Sequence, residues 1–440
     1  MSLVQYSGVK GRGSSGAPKS SIIAALDIGS TKISCFIAEV QPPKTRVSVD
    51  PRQLIKVIGI GQTASRGIRF GTVVDVNAAE CAIRVAVDAA ERMAQTSISD
   101  VMVSVSGGKP ASTCFSGRVR TQTGVVGPRD VDFAISQALA KIEIGKRTIL
   151  HLSPINHVLD GVSNVVQPLG LHGEALQSDI GVTTVEPSYL RNVSAVIERA
   201  HLNPIGFVLA PYAAAKAALT PDELSLGAIV IDMGGAVTSL ALMRNDKLVA
   251  AESLGIGGQH VTNDVAQGLS TPLAHAERMK TLWGNVLPGG HGERELLAAP
   301  LVGERGTDTI QKVPKAYLTN ILQARLEEIF EHIRQRLEQP SFAAAAGARV
   351  VLTGGASQLA GLREMAAAML GRPVRLGTAA SLNGLPEHMR NAGFAVATGA
   401  LVYAAQPDQH YAVPQEAQAH LHRANMGYAK RVGQWLAEAL

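Results

Sequence analysis

The chain has 440 residues, 46% of them apolar and 18% charged, which excludes a disordered or fibrous chain and leaves room for two or three packed domains. Its 41 basic and 36 acidic residues give a formal charge of +5, too mild for the footprint of a nucleic-acid binder, so no nucleic acid is expected as a partner. Aromatic residues make up only 4%, so Ala, Val, Ile and Leu must fill the core.

In chain order, residues 1–20 are polar and rich in Gly and Ser, without the apolar stretch of a secretion signal, and predict a disordered tail. An apolar strand follows and ends in Asp27-Ile28-Gly29-Ser30-Thr31-Lys32, with a second apolar run over 33–40. A third strand is predicted over 54–61 and a helix over 77–93, where Ile83, Val87 and Ala90 recur at helical spacing. A strand over 101–106 ends in Gly107-Gly108, and a smaller unit over 107–171 carries a strand, a helix over 128–142 and a strand over 148–152. A helix over 188–199 and a strand over 205–210 complete the first half. The second half opens with Ala228-Ile229-Val230-Ile231-Asp232-Met233-Gly234-Gly235 and a further apolar run over 240–243. Residues 285–314 are glycine-rich and predict a long loop, and 318–337 predict a strongly periodic helix. A strand ending in Thr353-Gly354-Gly355 and a helix over 393–404 close the body. Cys35, Cys81 and Cys114 lack metal-ligand spacing and read as reduced thiols. No run of ~18 apolar residues predicts a membrane span.

The two Asp-x-Gly turns and the late Thr-Gly-Gly turn carry the chemistry. Glycine supplies tight turns and lets backbone amides approach an anion. A carboxylate beside them would repel phosphate directly. It becomes useful when hydrated Mg²⁺, which prefers oxygen ligands, stands between the two. Asp27 and Asp232 are therefore assigned to water-mediated metal contact. Ser30, Thr31, Gly234 and Gly235 are assigned to the β- and γ-phosphates. One such turn alone would read as an ordinary hairpin with Asp in it. Three in order favour two related lobes closing on one phosphorylated ligand.

These residues resemble the superfamily of actin, heat-shock chaperones and sugar kinases, and within it the FtsA cell division family. Asp27 to Lys32 is similar to the phosphate-1 motif, with Gly29 and Lys32 as further contacts. Ile231 to Gly235 is similar to phosphate-2, and Leu352 to Leu359 to the adenosine motif, with Gly354, Gly355 and Ser357. Ser65-Arg66-Gly67-Ile68, His151-Leu152-Ser153-Pro154 and the stretch over 391–399 also look FtsA-like. The resemblance implies an α/β, actin-like (ribonuclease H-like) two-lobed ATPase fold with an FtsA-type inserted subdomain. It implies a first lobe over 21–106 and 172–211, the insert (1C) over 107–171, a second lobe over 212–254 and 340–405, and a second-lobe subdomain (2B) over 255–339. ATP and Mg²⁺ are the implied cofactors. Glu277 and Lys280 stand three apart on one helix face; the resemblance implies ribose and adenine contacts, although an exposed ion pair gives the same pattern.

The chain also departs from the family pattern. Ala236 and Val237 replace a third Gly and a Thr hydroxyl. Ala210, in Leu209-Ala210-Pro211, stands where hydrolysing relatives place a residue that orients the attacking water, and Ala can neither polarise water nor accept its proton. The expectation is ATP binding with slow or absent turnover.

Residues 406–420, with Pro407, Pro414 and several Gln, predict a flexible linker. In 421–440, Tyr428, Trp435, Leu436, Ala439 and Leu440 lie within ~80° of Val432 at ~100° per residue. Lys430 lies opposite and Arg431 at the flank. A Trp-bearing apolar stripe with basic neighbours predicts a membrane-surface helix that favours anionic lipids. The resemblance implies a protein that polymerises like actin and tethers the tubulin-like FtsZ to the cytoplasmic face of the inner membrane at midcell. It places the FtsZ C-terminal tail on 2B, closest to Arg325 and Glu328, and later divisome membrane proteins on 1C. A PilM-like pilus-assembly protein is the alternative within the superfamily, and a chaperone- or kinase-type ATPase is a further one.

Overall fold

The computed structural model describes residues 21–42, 50–287, 292, 294–303, 310–345 and 347–406. The expected tail over 1–20 lies outside them. So do the linker beyond Gln406 and the expected terminal helix with Lys430, Arg431, Val432, Trp435, Leu436 and Leu440.

β1 (Ser21–Ile28) and β2 (Lys32–Val40) form the first hairpin, paired from Ser21–Val40 to Ile28–Ile33. Most residues of both strands are buried, so they read as continuous apolar runs. A helical turn, α1 (Pro51–Leu54), leads into β3 (Ile55–Ala64), antiparallel to β2. β4 (Ile68–Arg69) and β5 (Thr72–Val73) make a small hairpin. α2 (Val76–Ala94) begins where the Asp75 carboxylate accepts from Asn77 and Ala78 N–H at 3.0 and 3.1 Å. β6 (Asp100–Val105) then returns parallel to β1.

The insert holds β7 (Ala111–Arg120), α3 (Pro128–Leu139), β8 (Thr148–Leu159) and β9 (Ala175–Val185). Its antiparallel sheet runs β7-β9-β8 over a small core that includes Ile135, Leu139, Ile149 and Ile180. The expected end at residue 171 is too early, because the central strand β9 lies beyond it. β9 hides its signal in matched polar pairs. Ser116 Oγ donates to Asp179 Oδ1 at 2.6 Å, and His157 Nδ1 lies 2.9 Å from Ser178 Oγ.

The first lobe resumes with α4 (Pro187–Arg199) and β10 (Asn203–Leu209), which pairs parallel to β6. α5 (Ala210–Ala218) and α6 (Pro221–Leu226) lead to β11 (Ala228–Met233), β12 (Thr238–Arg244) and β13 (Lys247–Leu254). The second-lobe subdomain holds α7 (Gly258–Gly268), α8 (Leu273–Trp283), β14 (Leu296–Pro300), β15 (Ile310–Pro314) and α9 (Lys315–Leu337). The loop expected over 285–314 therefore contains a two-stranded sheet. Leu297, Ala299 and Val313 anchor it in the core. The chain closes with β16 (Arg349–Thr353), α10 (Leu362–Leu370), β17 (Val374–Leu376) and α11 (Ala395–Ala404).

The two large sheets repeat one plan. Their orders are β10-β6-β1-β2-β3 and β17-β16-β11-β12-β13. In each, an antiparallel meander lies on one side of the motif strand and parallel strands on the other. α5 and α11 pack together between the sheets, with α5 touching strands of both. The lobe boundary expected at Tyr212 thus falls inside a shared helix.

His151 of β8 reaches into this junction. Its Nε2 accepts from Leu209 N–H at 3.1 Å, and Tyr212 and Tyr403 meet its ring edge-on. Burial pushes its pKa down to about 3. The unfolded chain binds the proton near 6.5 and the native one does not. His151 therefore contributes stability that is present above pH ~6.5 and lost as pH falls toward ~3. Urea midpoints measured from pH ~7 to ~4 are expected to fall, and His151→Gln to reduce that fall.

Candidate functional site

Both motif turns close in the same way. Gly29 N–H donates to Lys32 O at 3.0 Å, and Gly234 N–H donates to Val237 O at 2.9 Å. Asp27 and Asp232 end their strands at equivalent places, opposite Ser34 and Ser239. Both carboxyls are buried, and burial raises both pKa values. Asp232 is pushed up to about 7, first by desolvation and then by the charge of Asp27. Ser104 Oγ donates to Asp27 Oδ1 at 2.5 Å and opposes the rise there.

Lys32 lies within electrostatic reach of both carboxyls. Its Nζ donates to Gly393 O at 2.6 Å and lies 3.5 Å from the centre of the Phe394 ring. Desolvation lowers its pKa, while Asp27 and then Asp232 hold it up. The turns touch as well: a Cβ on Gly235 would stand 2.3 Å from Thr31 Cγ2. Gly354 seals the base with φ +86°. A Cβ there would lie 2.5 Å from both Asp232 Oδ1 and Met233 O. Gly354 N–H donates to Ala392 O at 3.1 Å, and Ser357 Oγ donates to Gly354 O at 2.8 Å, which holds the turn that contains Gly355. Asp27, Gly29, Thr31, Lys32, Asp232, Gly234, Gly235 and Gly354 are thus gathered at one interlobe cleft.

α7 begins against the second turn, with Gly258 N–H donating to Gly234 O at 3.0 Å. Lys280 Nζ donates to Gly258 O at 3.1 Å, Thr262 Oγ1 at 2.8 Å and Glu277 Oε2 at 2.7 Å. Lys280 therefore joins Glu277 to the wall of the second turn, beside Ala356. Its three donors all have acceptors within the protein, and together they tie Glu277 and Thr262 to the start of α7.

Ser30 faces elsewhere in part: its Oγ accepts from Gly71 N–H at 3.1 Å, and the Phe70 ring lies 5.6 Å from that of His260. A cavity of about 270 Å³ opens beside this point, between Phe70, Val237 and the root of the insert at Lys109 and Tyr189. It adjoins the Asp27–Asp232 cleft rather than occupying it. Arg325 and Glu328 lie apart on α9. Arg325 forks onto Asp264 of α7 and donates to Glu328 Oε2 at 2.5 Å. Sequence reasoning missed Asp264, Ser104, Thr262 and the Gly393 carbonyl. Only the FtsA-like stretch over 391–399 marked the last of these.

Residues 229–399 match the family model for the cell division protein FtsA, and residues 107–184 match the SHS2 domain inserted in FtsA. The cell division protein FtsA of Rhizobium meliloti is 38% identical over 431 residues, covering 96% of this chain and 95% of that protein. The chain belongs to the FtsA family. FtsA of Neisseria meningitidis is 32% identical, covering 94% of this chain and 97% of its own. FtsA of Escherichia coli K12 is 27% identical over the same shares. Two solved structures share the fold at low identity. The PilM–PilN type IV pilus biogenesis complex has a TM-score of 0.56 at 18% identity and covers 87% of this chain and 98% of its own. MreB5 of Spiroplasma citri bound to ADP has 0.53 at 13% and covers 88% and 97%. The α/β fold is thus actin-like and two-lobed, with the FtsA-type insert, and FtsA membership sets the pilus reading aside.

Proposed function

We propose that this FtsA-family chain binds ATP with Mg²⁺ in the interlobe cleft and uses the bound state to assemble on the membrane. The observation that carries the reading is the meeting of Asp27, Lys32 and Asp232 between equivalent turns. The donor set fits the group. The two buried carboxyls lie close enough for the charge of Asp27 to raise the Asp232 pKa, the Ser34 and Ser239 hydroxyls beside them are buried without a hydrogen-bond partner, and glycine at 354 lets that backbone pack directly against Asp232. Bound Mg-ATP would supply the divalent charge that draws the two carboxyls together.

The chain's own groups then have separate tasks. Asp27 and Asp232 hold the metal's water shell, and amides near Ser30, Thr31 and Gly235 hold phosphate oxygens. Lys32 offers its ammonium to the same oxygens from its seat on Gly393. Glu277, fixed by Lys280, takes the nucleoside side with Gly355, whose turn the buried Ser357 holds through its bond to Gly354 O. At the N-terminus of α5, buried Ala210 offers no base. Steady-state ATP turnover is expected to be far below that of chaperone-type ATPases, as phosphate release over hours would show.

The assembled protein tethers FtsZ at the cytoplasmic face of the membrane. The FtsZ C-terminal tail docks on the second-lobe subdomain near Arg325 and Glu328, and the insert receives later division proteins. The tail helix binds anionic lipid weakly in single copies and strongly in a polymer, by avidity. No helix among the described residues is long and apolar enough to cross a membrane. Co-sedimentation with anionic liposomes, with and without Mg-ATP, tests the reading. Mg-ATP should raise the bound fraction, and electron microscopy should show polymer on the vesicles. Deleting residues 433–440 is expected to move the protein to the supernatant. Retention on the vesicles would remove the tail from the account.

A further inference from the structure

The insert touches both lobes, and each contact falls on a strand two removed from a strand that carries one of the two carboxyls. On the first-lobe side, His151 Nε2 accepts from Leu209 N–H at 3.1 Å. Leu209 pairs with Val105, the neighbour of Ser104, whose hydroxyl holds Asp27. The His151 ring is locked by Tyr212 and Tyr403, at centroid distances of 5.2 and 5.9 Å, and these belong to the helix pair α5 and α11. On the second-lobe side, Ser112 Oγ of β7 accepts from Ala251 N–H of β13 at 2.9 Å and meets Thr183 Oγ1 at 2.9 Å. Ala251 lies two residues from Ser253, which pairs with Ser239, which pairs with Asp232. The root of the insert is short and tied. Glu186 N–H donates to Gly108 O at 2.9 Å, and Arg147 bridges Thr184 O and Lys109 O.

We infer that the insert works as a caliper across the cleft: held by His151 on the sheet that carries Asp27 and by Ser112 on the sheet that carries Asp232, it is re-oriented when the distance between those carboxyls changes. His151 is then a positioning residue that joins cleft occupancy to the insert's surface, a role that rests on the proposed binding of Mg-ATP. The physical basis is stiffness. Hydrogen-bonded strands move as units, so a shift at Asp232 reaches Ala251 through two strand pairings, and a shift at Asp27 reaches Leu209 in the same way. A buried aromatic triad yields little, because packed interiors are nearly incompressible. The insert's narrow root converts the difference between its two holds into rotation.

Hydrogen exchange on the full chain tests this, with Mg-ATP as the probe and a fluorescent ATP analogue reporting binding separately. In the unmutated protein, Mg-ATP is expected to change exchange at 111–120 and 148–159 by at least about fivefold, the low end of ordinary coupling. His151→Phe should bind nucleotide with the same affinity yet lose most of that change. His151→Gln, which keeps an acceptor for Leu209 N–H, should restore part of it. Ser112→Ala, at a half-buried strand edge, keeps the test alive if His151→Phe does not fold, and it should also reduce the change. A purely structural His151 would raise exchange equally with and without nucleotide, which would overturn the inference. Nucleotide binding without any change in the insert would overturn it too, and leave the reading of the cleft standing. Absence of binding would remove both.

Discussion

Gly399→Val is expected to unfold the body of the protein, and Gly399→Ala to weaken it strongly. Gly399 lies in α11 where that helix crosses α5, and a Cβ would stand 1.7 Å from Ala213 O and 2.4 Å from Ala213 C. Those atoms are helix backbone, so no rotamer change relieves the clash. The helices must separate by well over an ångström. The crossing is built for closeness, with Ala213, Ala214, Ala397 and Ala400 all buried at it or beside it. Separation breaks contacts on both sides, since α5 touches strands of each lobe and α11 packs on β1 and β6. Overpacking of this kind costs about 1–3 kcal/mol for one added group and more when backbone must move. Gly255→Ala is the control, because a Cβ there meets nothing within 4 Å. Its urea midpoint should shift by less than about 0.5 kcal/mol in stability. A Gly399→Ala midpoint equal to that control would show that the two helices part freely, and the shared-helix account of the junction would fail.

The hairpins are legible in the sequence because turn chemistry is local. Asp27-Ile28-Gly29 and Asp232-Met233-Gly234 announce strand, turn and ligand within a few residues. Their meeting is legible only through recurrence. What escapes is carried by backbone or by long-range pairing. The Gly393 carbonyl that seats Lys32 is an atom every residue possesses, so no residue type marks it. Asp264 binds Arg325 across two helices, and nothing near Arg325 in sequence names that partner. β9 is hidden because Ser178 pairs with His157 and Asp179 with Ser116 and Asn156 on the flanking strands, while Gln177 donates to Asp179 along β9 itself, and these polar residues erase the apolar run that a buried strand normally shows. β14 and β15 are lost in glycine-rich surroundings, where five-residue strands leave little periodicity. The second lobe's Val237 is legible as a departure. The structure adds that it closes its turn just as Lys32 closes the other, so the pair is equivalent in backbone and opposite in chemistry.

Asp232→Asn is expected to raise the stability of the nucleotide-free protein at pH ~8 and to abolish its response to Mg-ATP. Burial pushes the Asp232 carboxyl up to about 7, against 3.8 for a free one. A raised native pKa gives stability that is present below the unfolded value and lost as pH rises through the native one. Between 3.8 and about 7 the unfolded chain ionises freely while the native carboxyl keeps its proton. Above about 7 the native state carries the full cost of a buried charge beside Asp27, on the order of 4 kcal/mol from the gap between those values. Asparagine is never ionised and avoids that cost. The gain should therefore be largest at pH ~8 and should vanish near pH ~4. The ligand response has the opposite sign. A ligand that binds only the native state raises its melting temperature in proportion to the logarithm of its concentration over Kd. With Asp232 ionised, Mg-ATP supplies the charge that the empty cleft lacks, and the melting temperature should climb. In the D232N variant, one oxygen ligand for the metal shell loses its charge and the climb should disappear. Melting curves at pH ~4, ~6 and ~8, with and without Mg-ATP, separate the two effects. If D232N is less stable than the unmutated protein at pH ~8, the carboxyl is not under strain in the empty cleft. If D232N still responds to Mg-ATP, Asp232 does not face the metal.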